Sequence, residues 1–137
     1  MVKYASNAML ACRISFINEM ARLCDHFGAD ITRVREGMCT DRRIGRDFLH
    51  PGIGYGGSCF PKDTLAVIEM GRKANHPSLL NKAVHEVNQA QRAWFLDGIL
   101  TQLGSDLTGQ RIAIWGLAFK PRTDDIREAP ARAIIEG

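Results

Sequence analysis

Cys59 is the residue of this chain best placed to do chemistry. It lies in the run Gly54-Tyr55-Gly56-Gly57-Ser58-Cys59-Phe60-Pro61-Lys62-Asp63. Pro61 stands where a first helical residue belongs, so the thiol falls at a helix mouth, where unpaired backbone N–H groups and the helix dipole favour negative charge. Lys62 adds a cation close by, and both influences favour thiolate over thiol. The glycines before it remove side chains, letting a substrate approach the backbone, and the N–H groups near Cys59 could hold an oxyanion. A covalent nucleophile is a coherent reading, with a packed, inert cysteine as the ordinary alternative. Asp63, four residues on, has a routine role as a first-turn carboxylate, worth about 0.3–1 kcal/mol against the macrodipole.

Lys3 and Asn7 are four apart in a helical pattern, which puts both on one face. Taken alone they are an exposed lysine at a helix end and a solvated asparagine. Arg43, in Asp41-Arg42-Arg43-Ile44-Gly45, offers a guanidinium suited to a bidentate grip on phosphate or sugar hydroxyls. Lys120, Arg122 and Arg127 fall in Gly116-Leu117-Ala118-Phe119-Lys120-Pro121-Arg122-Thr123-Asp124-Asp125-Ile126-Arg127-Glu128-Ala129-Pro130, a loop that follows an apolar run. Gly52-Ile53-Gly54-Tyr55-Gly56-Gly57 satisfies G-x-G-x-x-G as a string but not in context. Pro51 precedes it where a strand should end, and the helix starts only at Pro61.

Helices must position these groups. Apolar residues recur at helical spacing from Lys3 to Phe27, with Gly28 as a left-handed stop. Asp30 is the expected N-cap of a short second helix through about Glu36, ended by Gly37. Five glycines and Pro51 between residues 38 and 60 exclude regular helix. A third helix is expected from Pro61 to near Ala74, and a fourth, long one from Pro77-Ser78 to Gly104. Arg111-Ile112-Ala113-Ile114-Trp115-Gly116 reads as a short buried strand, and Pro130 opens another helix. Strand, loop and helix start resemble the first unit of a parallel α/β domain without its remaining strands, so the C-terminal boundary looks artificial.

With 45% hydrophobic and 24% charged residues, the chain has the balance of a soluble globular domain. A net charge of +3, with both signs mixed, does not argue for nucleic acid. The four cysteines show no C-x-x-C spacing and no histidine pair completes a zinc site, so no metal is expected. No signal peptide and no membrane-length apolar run is present, so a cytoplasmic protein with free thiols is expected. Cys12 and Cys24 fall within a helix and are expected to be packed; Cys39 is undecided.

The run GYGGSCFPKD, preceded by DRRIGRDFLHPG, together with Lys3-Tyr4-Ala5-Ser6-Asn7 and the 116–130 block, resembles the UDP-glucose/GDP-mannose dehydrogenase family over essentially the whole chain. The resemblance implies a mainly α fold. Residues 1–104 would be a helical central dimerisation domain carrying the cysteine loop, and residues 105–137 the incomplete start of a C-terminal nucleotide-sugar-binding α/β domain. The family's N-terminal NAD-binding domain would be absent, leaving the chain inactive alone.

Several roles are implied residue by residue. Cys59 would attack the C6 aldehyde, Lys3 would stabilise oxyanions, Asn7 would hold sugar and water, and Asp63 would assist the water and orient the lysine. Phe48, the segment His50-Pro51-Gly52-Ile53-Gly54-Tyr55-Gly56, Phe119 and Lys120 would contact substrate, with Arg43 reaching it from the neighbouring subunit. The turn Cys59-Phe60-Pro61-Lys62 and Arg127 would face NAD. UDP-glucose is the implied substrate and a homodimer the implied assembly. GDP-mannose and UDP-N-acetylhexosamines are the alternatives within the class, and a helical association module without chemistry is the alternative outside it.

Overall fold

The computed structural model describes residues 1–137 and contains five helices: α1 (Val2–Phe27), α2 (Ile31–Met38), α3 (Phe60–Lys73), α4 (Leu79–Leu103) and α5 (Pro130–Glu136). In α1 the buried positions Ala11, Ser15, Ile17, Asn18, Ala21 and Cys24 form one inward stripe at helical spacing. Gly28 stops it with φ 68° and ψ 26°, and the next amide, Ala29 N–H, bonds Cys24 O at 2.8 Å.

Asp30 caps α2, its carboxylate accepting from Thr32 N–H at 2.8 Å. Gly37 does not end that helix, which runs on to Met38; glycine inside a helix costs only about 1 kcal/mol against alanine. Cys59 is the N-cap of α3, and Pro61 lies in its first turn. Gly71 is required within α3, because a Cβ there would come within 2.6 Å of His76 O as the connection turns back toward α4. Along α4 the buried residues Val84, Asn88 and Gln91 follow an i, i+4, i+7 pattern.

Helices α1, α3 and α4 pack against one another, α2 rests on α1, and α5 touches only α4. The buried clusters are small and mix helix with loop: Ala11 and Val84 enclose Tyr55, while Ile17 and Cys39 enclose Leu49. The glycine-rich segment thus supplies core residues. Cys24 is buried and Cys12 half-buried, as packed helix residues should be, and Cys39 is buried as well. No helix is long and apolar enough to cross a membrane.

The expected strand at 111–115 does not form. A ladder needs a neighbour to receive its N–H and C=O groups, and no second extended segment lies beside it. Nor is the segment buried: Ile112 and Ile114 are exposed, and Trp115 is fully so. These residues form one wall of an open apolar groove of 670 Å³, with Phe95 and Ile99 of α4 and Ile134 of α5 on the others.

Candidate active site

The loop before Cys59 is held by its backbone. Asn18 Oδ1 accepts Gly52 N–H at 2.8 Å, while Gln91 Nε2 donates to Gly52 O at 2.8 Å. Asn88 grips Tyr55 on both sides, accepting its N–H at 2.8 Å and donating to its carbonyl at 3.2 Å. Arg92 adds a donor to Tyr55 O at 2.9 Å. These polar side chains of α1 and α4 replace the ladder partners that an irregular buried backbone lacks.

Glycine is needed where the loop meets the segment 119–129. A Cβ on Gly56 would lie 2.0 Å from Glu128 O, and one on Gly57, at φ 82°, would lie 2.6 Å from the Phe119 ring. Gly57 N–H donates to Arg127 O at 3.0 Å, stitching the two segments together.

Cys59 is exposed at the start of α3, and one turn on its carbonyl accepts Asp63 N–H at 2.8 Å. The Asp63 carboxylate is completely buried, yet two groups of α1 reach it: Lys3 Nζ at 3.0 Å and Asn7 Nδ2 at 2.6 Å. Helical spacing brings Lys3 and Asn7 to one carboxylate, as expected from their positions. Lys62 Nζ stands 3.9 Å from its other oxygen. The hydrogen bond from Lys3 holds the Asp63 carboxyl below its usual range; burial opposes this, and Asn7 reinforces it. Conversely, Asp63 raises Lys3, first through the hydrogen bond and then by attraction, with a smaller contribution from Cys59.

A pH dependence follows. Because the Asp63 pKa is lower folded than unfolded, its contribution to stability is complete above about 3.9 and is lost as pH falls through the folded value. Urea unfolding from about pH 6 to about pH 2 should show the wild type ahead of Asp63→Asn at the upper end, with the lead vanishing in acid. A lead that persists into acid would exclude the carboxylate as its source.

A cavity of about 480 Å³ is bordered by Phe60, the residue after Cys59, but by none of Lys3, Asn7, Cys59 and Asp63. Phe48, His50, Gly54, Tyr55 and Gly56 line it from the loop, Phe60 from α3, and Phe119 and Lys120 from the C-terminal segment. Phe60 packs edge-on against both Phe48 and Tyr55, with ring centroids 6.0 Å apart in each pair. Phe48 adopts φ 59°, uncommon for an aromatic residue. His50 Nε2 faces Arg35 Nη2 at 3.0 Å, and since a guanidinium only donates, that ring nitrogen accepts.

Other expected site residues lie elsewhere. Gly52 has both backbone groups engaged by Asn18 and Gln91, Ile53 lines the apolar groove, and neither Pro51 nor Arg43 borders the cavity. Arg43 is exposed and folds back onto Asp41 at 2.6 Å. Arg127 does the same with Asp125 at 2.7 Å. Pro61 and Lys62 follow Cys59 in the first turn of α3. Sequence reasoning missed Asn18, Asn88, Gln91 and Arg92, which shape the site through backbone bonds; the one available signal was polar residues at the inward positions of otherwise amphipathic helices.

Residues 1–90 match the central domain of the UDP-glucose/GDP-mannose dehydrogenase family, and residues 113–137 match that family's UDP binding domain. The chain is 52% identical over 135 residues to UDP-glucose 6-dehydrogenase TuaD of Bacillus subtilis, covering 98% of the chain and 29% of that protein. A UDP-glucose dehydrogenase structure from the archaeon Pyrobaculum islandicum superimposes with TM-score 0.91 at 45% identity, covering 98% of the chain and 32% of its own. A UDP-D-ManNAc dehydrogenase structure from Pyrococcus horikoshii gives TM-score 0.83 at 31% identity, covering 99% and 32%. The chain thus spans about a third or less of each of these relatives. With Cys59, Lys3, Asn7 and Asp63 all inside the central-domain match, and the UDP-binding-domain match following it, this chain belongs to the UDP-glucose/GDP-mannose dehydrogenase family.

Proposed function

We propose that the chain supplies the thiol half of an NAD-dependent UDP-glucose 6-dehydrogenase, which oxidises the C6 alcohol to a carboxylate through a covalent bond to Cys59. The observation that carries this reading is the buried Asp63 carboxylate shared by Lys3 and Asn7, one turn beneath an exposed cysteine. The arrangement supports each step assigned to it. The Cys59 sulfur adds to the C6 aldehyde, and the Lys3 ammonium, held by Asp63, stabilises the negative charge on oxygen. After a second oxidation the thioester is hydrolysed by a water that Asn7 and Asp63 hold, releasing the thiol and UDP-glucuronate. The covalent bond retains the aldehyde between the two oxidations.

NAD, when bound, accepts a hydride at each oxidation. This chain's residues fit only the edge of that group. Lys62, in the first turn of α3 after Cys59, and Arg127, paired with Asp125, present exposed cations. The Gly52–Gly57 run cannot cradle a pyrophosphate, because its backbone is occupied by Asn18, Asn88 and Gln91 and its glycines are packed against Glu128 and Phe119. We therefore place most of the NAD contacts outside these 137 residues.

Residues 1–104 are assigned to the central unit and 105–137 to the opening of the nucleotide-sugar-binding unit. Phe48, Tyr55, Phe60 and Phe119 give the cavity faces on which a sugar or base can stack. A homodimer is supported by an outward row on α1, where Val2, Met9, Phe16 and Leu23 are exposed at seven-residue intervals. The same row favours a second reading, in which these residues act as an association surface.

The test has two arms. The chain alone, given NAD and UDP-glucose, should form no NADH; any turnover would refute the division of labour. The assembled dehydrogenase should favour UDP-glucose over GDP-mannose and UDP-N-acetylmannosamine in kcat/KM, and a preference for either of the others would reassign the substrate.

A further inference from the structure

Two left-handed residues stand three apart in the loop after α2: Gly45 at φ 67° and Phe48 at φ 59°. Glycine takes that conformation freely, whereas an aromatic residue keeps it only where its surroundings over-determine the backbone. Burial does not do so at Phe48, which is 41% exposed. Its ring nevertheless borders the 480 Å³ cavity and meets Phe60, the residue after Cys59, edge-on with centroids 6.0 Å apart.

The restraint comes from two guanidiniums. Arg13 of α1 donates from Nε to Asp47 O at 2.8 Å and from Nη2 to Gly45 O at 3.3 Å. Arg35 of α2 donates from Nε to Leu49 O and from Nη2 to Arg46 O at 3.4 Å. Every carbonyl from Gly45 to Leu49 except that of Phe48 is therefore held. The same Nη2 of Arg35 reaches Nε2 of His50, also on the cavity wall, at 3.0 Å. A planar fork lets one side chain span two carbonyls of a turn, which a lysine ammonium does not match. Both arginines are half-buried, and both are engaged by carbonyls, whereas Arg33, Arg43, Arg72, Arg127 and Arg132 each pair with a carboxylate. Leu49, buried against Ile17 and Cys39, pins the far side of Phe48.

We propose that Arg13 and Arg35 are positioning residues. By holding the carbonyls on either side, they keep Phe48 left-handed and its ring on the cavity wall, and so govern how tightly the nucleotide sugar is bound rather than how fast it reacts. The inference rests on the proposed function for the identity of that ligand, while the placement of the ring does not depend on it.

Fluorine NMR of the chain labelled with para-fluorophenylalanine reads the ring without substrate or cofactor. The chain has six phenylalanines, and the Phe48 resonance is assigned by its loss in Phe48→Leu. It should move toward the free amino acid's position in Arg35→Gln, and further when Arg13→Gln is added. Arg35→Lys, which keeps the charge and loses the fork, should move it as well. Phe16 and Phe27 of α1 and Phe95 of α4 should keep their resonances, which separates a freed ring from a lost fold. In the assembled dehydrogenase, KM for UDP-glucose should rise about three- to tenfold in either glutamine variant, with kcat changed by less than about twofold.

An unmoved Phe48 resonance in the double variant overturns the restraint, and one unmoved in Arg35→Lys overturns the role of the fork. Collapse of all the resonances would make the arginines general supports of the fold and overturn the positioning role. A moved resonance with KM unchanged, or with the loss in kcat, overturns the link to binding. Failure of the dehydrogenase reading would leave the fluorine spectra as they are.

Discussion

In the assembled dehydrogenase, Cys59→Ser should reduce UDP-glucuronate formation by more than about 10³-fold. A hydroxyl at the mouth of α3 is a far weaker nucleophile at neutral pH than a thiol, and it does not form a comparably labile ester. Cys59 is exposed and its sulfur lies 3.8 Å from Ser58 Oγ, so the loss cannot be attributed to a collapsed core. The variant should therefore fold as the wild type does, bind UDP-glucose, and fail after capture of the aldehyde should begin. Steady-state product measured by chromatography decides the matter: undiminished glucuronate would remove Cys59 from the mechanism.

The second large effect is expected at Lys3. Its ammonium is oriented by a carboxylate that is itself fixed by burial and by Asn7, so little reorganisation is needed when negative charge develops nearby. Removing one such donor costs about 10²–10³ in rate. Lys3→Met keeps much of the side-chain volume while deleting the charge, and the loss should appear in kcat with KM little altered. A rise in KM with kcat unchanged would instead make Lys3 a binding group. Asn7→Ala should be milder, because Lys3 can still satisfy Asp63.

The elements around these residues were legible because their signals are local. The stripe along α1, the Asp30 cap, Pro61 in the first turn of α3 and Gly104 at the end of α4 each act within a few residues of themselves. The meeting of Lys3 with Asn7 is equally local. Their meeting with Asp63 is not, and here it was the family resemblance that supplied the connection. The strand at 111–115 was misread because alternation of apolar residues does not provide the neighbour a strand must have. Gly37 was misread because a glycine stops a helix only where the chain adopts the left-handed conformation, as it does at Gly28 but not there. The grip of Asn18, Asn88 and Gln91 on the loop joins residues 33 to 39 positions apart and leaves no mark in spacing. One missed feature was local after all: Asp41-Arg42-Arg43 and Asp125-Ile126-Arg127 share an acid-x-arginine pattern, and in both the arginine folds back onto its own aspartate.

The way Gly52 and Tyr55 are gripped has a consequence for protein engineering. Because the clamps act on peptide groups, this part of the loop's anchorage does not depend on which side chains it carries. Exchanging the cavity-lining Phe48 or His50 leaves the clamps on Gly52 and Tyr55 themselves untouched. Part of the loop's hold on the helices is thereby carried by peptide atoms that substitution leaves unchanged.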